Sequence, residues 1–214
     1  MYKYATVSCR MGIGLRPVNH SKGNIYIMNF TFQQKVAIMF IDIRNFTCFA
    51  SKKSPEEIAL YINAFFRIVI NTVSRYNGFV NQFLGDGCLV TFGTPLDPCN
   101  LSQNAVDASM MILRNLDKAV QNGEIEQTKI GIGIHIGEVV TGNLGTKERY
   151  QHSVTGSAVI LASRIEQLNK QFGSQLLVSE DVMRSVGQLD ADPVSFRNVP
   201  LKGWHQPVSI YKLA

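Results

Sequence analysis

Apolar positions recur along this chain with two periods, and the switches between them mark its elements. Residues 36–43 form a short apolar run rich in β-branched side chains, broken only at Asp42, and predict a buried strand. The stretch Ser54-Pro55-Glu56-Glu57 predicts a helix start. Ser54 suits the N-cap, Pro55 the first helical position, and Glu57 completes a capping box. Ile58, Ile62, Phe65, Phe66, Val69, Ile70 and Val73 follow at helical spacing, with Gly78 as the expected stop. Residues 79–92 predict two strands around a turn at Gly85-Asp86-Gly87, and residues 102–120 a helix ending near Gly123.

Residues 129–136 alternate, with Ile130, Ile132, Ile134 and Ile136 on one face, which predicts a half-buried strand. Residues 139–141 are its expected partner, across a turn at Gly137-Glu138. Ser157 is the expected cap of a helix running to about Gln171 and stopped by Gly173. A strand over 176–178, a short helix over 180–186 and two pairing strands near Phe196 and 208–213 complete the pattern. Helices alternating with hairpins predict an α+β sandwich, a mainly antiparallel sheet covered by helices. Residues 1–33 read as an N-terminal extension of unknown role, with a glycine-containing loop at 11–16 and a strand over 25–32. Residues 34–214 read as one domain.

The composition of the 214 residues, 45% hydrophobic and 17% charged, provides for a full core and excludes bulk disorder. The formal charge of +5 favours phosphate-bearing partners without choosing among nucleotides, nucleic acids and lipid. Cys9, Cys48, Cys88 and Cys99 include no C-x-x-C pair of a zinc or redox site, and the lack of a secretory-leader pattern makes reduced thiols in a cytoplasmic protein the expectation. The longest uninterrupted apolar run, residues 36–41, is far short of a membrane span. No paired aromatic code for RNA is present.

Two carboxylates stand out against this background. Asp42 ends an apolar strand, and Asp86 sits in a glycine turn. The residues alone leave two readings open. Asp42 fits a helix cap or turn, and Asp86 an ordinary hairpin. Alternatively, acids at neighbouring strand ends can hold a hard divalent cation such as magnesium or manganese.

The surrounding motifs resemble those of class III adenylyl and guanylyl cyclases. Phe40-Ile41-Asp42-Ile43-Arg44-Asn45-Phe46-Thr47 resembles the first metal motif, and Phe83-Leu84-Gly85-Asp86 with Val90-Thr91-Phe92-Gly93 the second, 44 residues on. Residues 131–140 with Gly142-Asn143-Leu144-Gly145 resemble the family's central hairpin. Ala162-Ser163-Arg164-Ile165-Glu166 resembles its A-x-R-L-E helix, and Leu201-Lys202-Gly203 its closing K-G motif. The resemblance runs from about Lys35 to Leu213.

That resemblance implies a ferredoxin-like cyclase fold. It implies two divalent ions, Mn2+ or Mg2+, held by Asp42, Asp86 and the backbone carbonyl of Ile43. It implies a homodimer with two interfacial active sites, one subunit supplying the metals and the other the base pocket and Arg164. Arg164 would stabilise charge on the transferring phosphate, while Lys202 and Arg149 would hold phosphates.

The sequence departs from the family where the base is read. Gln82 stands where adenylyl cyclases have lysine and guanylyl cyclases glutamate; Ser153 stands where they have aspartate or threonine, and cysteine. Ile160 replaces the asparagine that positions the ribose and reacting phosphate. Gln82 and Ser153 each donate and accept hydrogen bonds, which suits uracil or cytosine. In this the chain resembles the stand-alone pyrimidine cyclases of bacterial Pycsar anti-phage systems. That likeness implies a lyase making cyclic UMP, or else cyclic CMP, as a second messenger for a separate effector. A purine cyclase with an atypical pocket and an inactive nucleotide-binding or regulatory domain remain as alternatives.

Overall fold

A computed structural model describes residues 32–94, 99–145 and 149–214. The expected loop at 11–16 and all but the last residue of the expected strand at 25–32 lie outside the described residues. Strand β1 (Phe32–Ile43) starts four residues before the predicted strand at Val36 and ends where predicted. Helix α1 (Phe46–Ala50) is one short turn that the sequence pattern did not announce. Helix α2 (Pro55–Arg75) opens with the expected capping box: Glu57 N–H donates to Ser54 Oγ at 3.2 Å and Ser54 N–H to Glu57 Oε2 at 2.8 Å. It ends three residues before Gly78, which instead begins strand β2 (Gly78–Phe83). Strand β3 (Gly87–Phe92) and helix α3 (Leu101–Gln121) follow as expected.

The pattern misleads at strand β4 (Ile130–Gly145), which runs on through the predicted turn at Gly137-Glu138. Its hairpin partner is β5 (Tyr150–Thr155), not residues 139–141. Nor is β4 half-buried, since residues 130–136 are buried on both faces. Glycines alternate with the isoleucines, and glycine serves as a packing surface where a polar residue would signal solvent. Helix α4 (Ser157–Phe172) has Gly156, not Ser157, at its N-cap, and Gly173 caps its C-terminus at φ 55°. Strand β6 (Leu176–Ser179), helix α5 (Glu180–Ser185), and strands β7 (Val194–Val199) and β8 (Val208–Lys212) complete the described chain.

The strands form one sheet in the order β2-β3-β1-β4-β6-β8-β7, with β5 paired to β4. All pairings are antiparallel except β4 with β6. On one face, Met39, Ile41, Val90, Ile132 and Ile134 pack against α2 and α3 through Phe65, Val69, Ile112 and Leu116. On the other, Ala158 and Ala162 of α4 pack on Val36, Ile38, Leu89 and Val139. By length and composition α2 could cross a membrane, yet it lays Tyr61, Phe65, Phe66, Val69 and Val73 into the core.

Helix α4 lies close because β4 offers it glycines. A Cβ on Gly133 would overlap the backbone of Glu166, and one on Gly137 would sit 2.8 Å from Ala158 Cβ. Backbone cannot swing aside as a long side chain can, so Gly133→Ala should lift α4 from the sheet. The expected cost is roughly 1–3 kcal/mol, a fall in Tm of about 2–12 °C. Gly187→Ala, where the nearest atom is 3.9 Å away, should leave the melting curve nearly unchanged.

Candidate active site

Asp42 is the penultimate residue of β1, flanked by glycines on both neighbouring strands: Gly87 of β3 and Gly131 of β4. A Cβ on Gly87 would lie 2.5 Å from Ile41 O and 3.1 Å from Asp42 Oδ1, so only glycine leaves the carboxylate its place. A Cβ on Gly131 would overlap the Arg44 guanidinium. Asp86 sits in the tight β2–β3 turn, where Gly85 takes φ 78° and Leu84 N–H donates to Gly87 O at 2.8 Å. Both aspartates and Ile43 line one cleft of about 870 Å³ with Arg44, Lys129 and Lys170.

Asp42 senses the charge of Asp86. Burial raises the Asp42 carboxyl above its ordinary range, repulsion from Asp86 raises it further, and Arg44 opposes both. Glu166 of α4 joins them. Arg44 Nη2 donates to its backbone oxygen at 3.1 Å and forms a short ion pair with Oε1. Burial pushes the Glu166 carboxyl up to about 7; Arg44 lowers it, while Asp42 and Asp86 add repulsion. Asp42 and Glu166 thus share one arginine, and Asp86 adds negative charge to the same partly desolvated corner.

A divalent cation fits that corner. The donors are hard carboxylate oxygens plus the Ile43 carbonyl, and the excess negative charge is what a cation would neutralise. The set is lean, for among the described residues no group of three or more His, Cys, Asp or Glu side chains could hold a metal. Remaining positions would fall to phosphate oxygens and water, as is usual for magnesium.

The other residues singled out in the sequence do not gather on the acids within one chain. Gln82 is exposed on β2 and Ser153 half-buried on β5, two strands that touch. Ile160 is 55% exposed on α4. One turn on, Arg164 Nη1 donates to Gln167 Oε1 at 2.8 Å, and among the described residues nothing bonds its buried Nε. Arg164 is not among the residues lining the acid clefts. Lys202 is exposed beside Gly203, whose φ is 76°, and Arg149 is exposed between β4 and β5.

Sequence reasoning missed the Arg44–Glu166 ion pair. Both residues stand inside recognised motifs, but 122 residues of separation hide the contact. It also missed Lys129 and Lys170, ordinary surface lysines by any sequence signal.

Comparison with known proteins agrees with this geometry. The profile described as "Adenylate and Guanylate cyclase catalytic domain" matches residues 28–214. The uncharacterized protein MT1361 of Mycobacterium tuberculosis (strain CDC 1551 / Oshkosh) is 32% identical over 175 residues, 81% of this chain but 30% of that protein. The chain therefore spans about a third of the length of the curated relatives it matches. Among solved structures, the guanylyl cyclase Cya2 superposes with a TM-score of 0.74 at 30% identity, covering 85% of this chain and 92% of that one. The adenylyl cyclase CyaB from P. aeruginosa shares the fold, with a TM-score of 0.77 at 24% identity, covering 86% of this chain and 95% of that one. With every described residue inside the matched span, and its sheet and helices superposing on a cyclase of similar length, the chain belongs to the adenylate and guanylate cyclase catalytic domain family.

Proposed function

We propose that this chain is a pyrimidine nucleotide cyclase that converts UTP, or secondarily CTP, to the 3′,5′-cyclic monophosphate and pyrophosphate, acting as a homodimer. The observation behind the base assignment is that Gln82 and Ser153 lie on two strands that touch, β2 and β5. Each side chain can both donate and accept, which permits a pyrimidine edge with adjoining donor and acceptor. A cyclic pyrimidine nucleotide made by a compact cytoplasmic enzyme would serve as a second messenger for a separate effector in anti-phage defence.

In the reaction the ribose 3′ oxygen attacks the α-phosphorus, its proton leaves to solvent, and pyrophosphate departs. Asp42, Asp86 and the Ile43 carbonyl would hold the two divalent ions, Mn2+ or Mg2+. Those ions would supply Lewis-acid polarisation and charge neutralisation. Arg164, from the second subunit, would bear on charge developing at the transferring phosphate, where a fixed cation in a dry site acts best. Lys202 and Arg149 would hold the outgoing phosphates. Ile160 provides no polar contact to the ribose, so Arg164, whose Nε has no partner among the described residues, would carry that positioning alone.

Purified protein incubated with each of the four ribonucleoside triphosphates and manganese should yield cyclic UMP or cyclic CMP predominantly. A purine product would establish the atypical-pocket reading, and no product from any triphosphate the inactive one. Asp42→Ala and Asp86→Ala should each lower the rate about a hundredfold or more while the fold persists.

Mixing subunits tests the interface. Asp42→Ala and Arg164→Ala chains, each inactive alone, should together recover about one quarter of the unaltered rate. Half the dimers are mixed, and each has one intact site.

Charge at the acids predicts a further effect that needs no turnover. Folding raises the proton affinity of Asp42 and Glu166, so metal-free protein should lose stability as pH rises from the ordinary carboxylate range through about 7. Chelated Asp42→Asn protein should therefore melt above chelated unaltered protein at neutral pH. Manganese at a hundred times its Kd should raise the Tm of the unaltered chain by roughly 5–11 °C and barely move that of Asp42→Asn.

A further inference from the structure

We propose that Asn81 is a positioning residue for base selectivity: as the extra residue of a bulge in β2, it turns Gln82 onto the sheet face that carries Asp42. The inference rests on the reading of Gln82 as a base-contacting residue.

The register makes the case. Val80 pairs with Val90 of β3, but the next pair is Gln82 with Leu89, so β2 advances two residues while β3 advances one. Side chains alternate along a strand, and one extra residue transfers everything beyond it to the opposite face. Val90 and Cys88 belong to the core under α2 and α3, whereas Leu89 packs with Ile38 beneath α4. Leu89 also pairs with Phe40, and Gly87 with Asp42. Gln82 and Asp42 therefore share the α4 face.

Without the bulge the parity reverses. Residue 82 would oppose Cys88 and lie against α2, where Phe83 now packs on Phe66 with ring centroids 4.4 Å apart. Phe83 would oppose Gly87, on the face of Asp42. The bulge decides whether that face presents an amide or a phenyl ring.

Asn81 holds the bulge through its side chain. Its Nδ2 donates to Thr91 Oγ1 at 2.5 Å and lies 3.4 Å from Phe79 O. Thr91 is fully buried and donates its own proton to Thr94 O at 3.0 Å, so its oxygen is left to accept. That fixes which end of the Asn81 amide is nitrogen. Its Oδ1 is then buried, and among the described residues it has no partner. A half-satisfied buried amide is costly where only packing is needed. Its use here is to fix an irregular backbone beside an exposed, selective side chain.

The test measures base preference in two ways on the full chain. One is the product ratio from an equimolar mixture of the four ribonucleoside triphosphates. The other is the relative Kd of the four 3′-deoxynucleoside triphosphates, which lack the attacking hydroxyl and report binding even without turnover. Asn81→Ala and Thr91→Val should each change the preference for the best base over the next by about three- to tenfold, the worth of one hydrogen bond. The manganese concentration for half-maximal binding should stay put. Thr91→Ser, which keeps the hydroxyl, should retain the original preference. In a Gln82→Ala background, Asn81→Ala should add nothing further. An equal loss for all four bases, or an effect additive with Gln82→Ala, would overturn the positioning role. If Gln82→Ala alone leaves preference unchanged, the base-reading assignment is what fails. If Gln82→Ala changes preference and neither Asn81→Ala nor Thr91→Val does, the assignment stands and the positioning role fails.

Discussion

Carboxylates crowded at the end of a buried strand repel one another, and the architecture around Asp42 is organised by that repulsion. Burial and the charge of Asp86 raise the proton affinity of Asp42, burial and the charges of Asp42 and Asp86 raise that of Glu166, and Arg44 opposes the effect at both. Left without a further cation, such a corner favours protonation. Occupied by one, it favours ionisation and ordered geometry. The fold makes room for this tension with glycine. Gly87 clears space for the Asp42 carboxylate, Gly131 for the Arg44 guanidinium, and Gly133 for the backbone of α4 that brings Glu166 within reach. A side chain at Gly87 or Gly131 would disturb the acid site directly, and one at Gly133 would lift α4 and Glu166 with it.

Much of this was legible in the sequence, and what was hidden was hidden for identifiable reasons. The capping box at Ser54 and Glu57 and the glycine turn at Asp86 are local signals, and they read correctly because both partners lie within four residues. Strand β4 was misread because Gly131, Gly133 and Gly137 look like breaks in an apolar stripe. They are instead the surface on which a helix rests. The acid pair could be proposed from motifs, but its third member could not. Glu166 and Arg44 meet only after α4 packs across β4.

Arg44 also connects two parts of the molecule that the proposed chemistry separates. It follows Asp42 and Ile43 directly, and through Glu166 it reaches the helix that carries Ile160 and Arg164. In the proposed two-fold dimer, the Asp42 end of β1 and the outward face of α4 on one chain would serve different active sites. A contact that fixes one relative to the other therefore ties the geometry of the two sites together. In that arrangement, movement of α4 in response to nucleotide at one site would be felt at the acids of the other through a charge-assisted, partly buried hydrogen bond.

The bulge in β2 belongs to the same logic of placement by backbone. A regular strand would present Phe83 on the face of Asp42 and turn Gln82 into the packing of α2. No propensity scale could anticipate that choice, since both residues are compatible with a strand and the chain pattern at 79–83 does not show which residue is extra. What selects the bulge is an interaction between positions ten apart, the amide of Asn81 on the hydroxyl of Thr91, together with the gain of seating Phe83 on Phe66. On the proposed reading, base choice is therefore set at two levels: by the side chain that faces the ligand, and by the hidden residue that determines which side chain does.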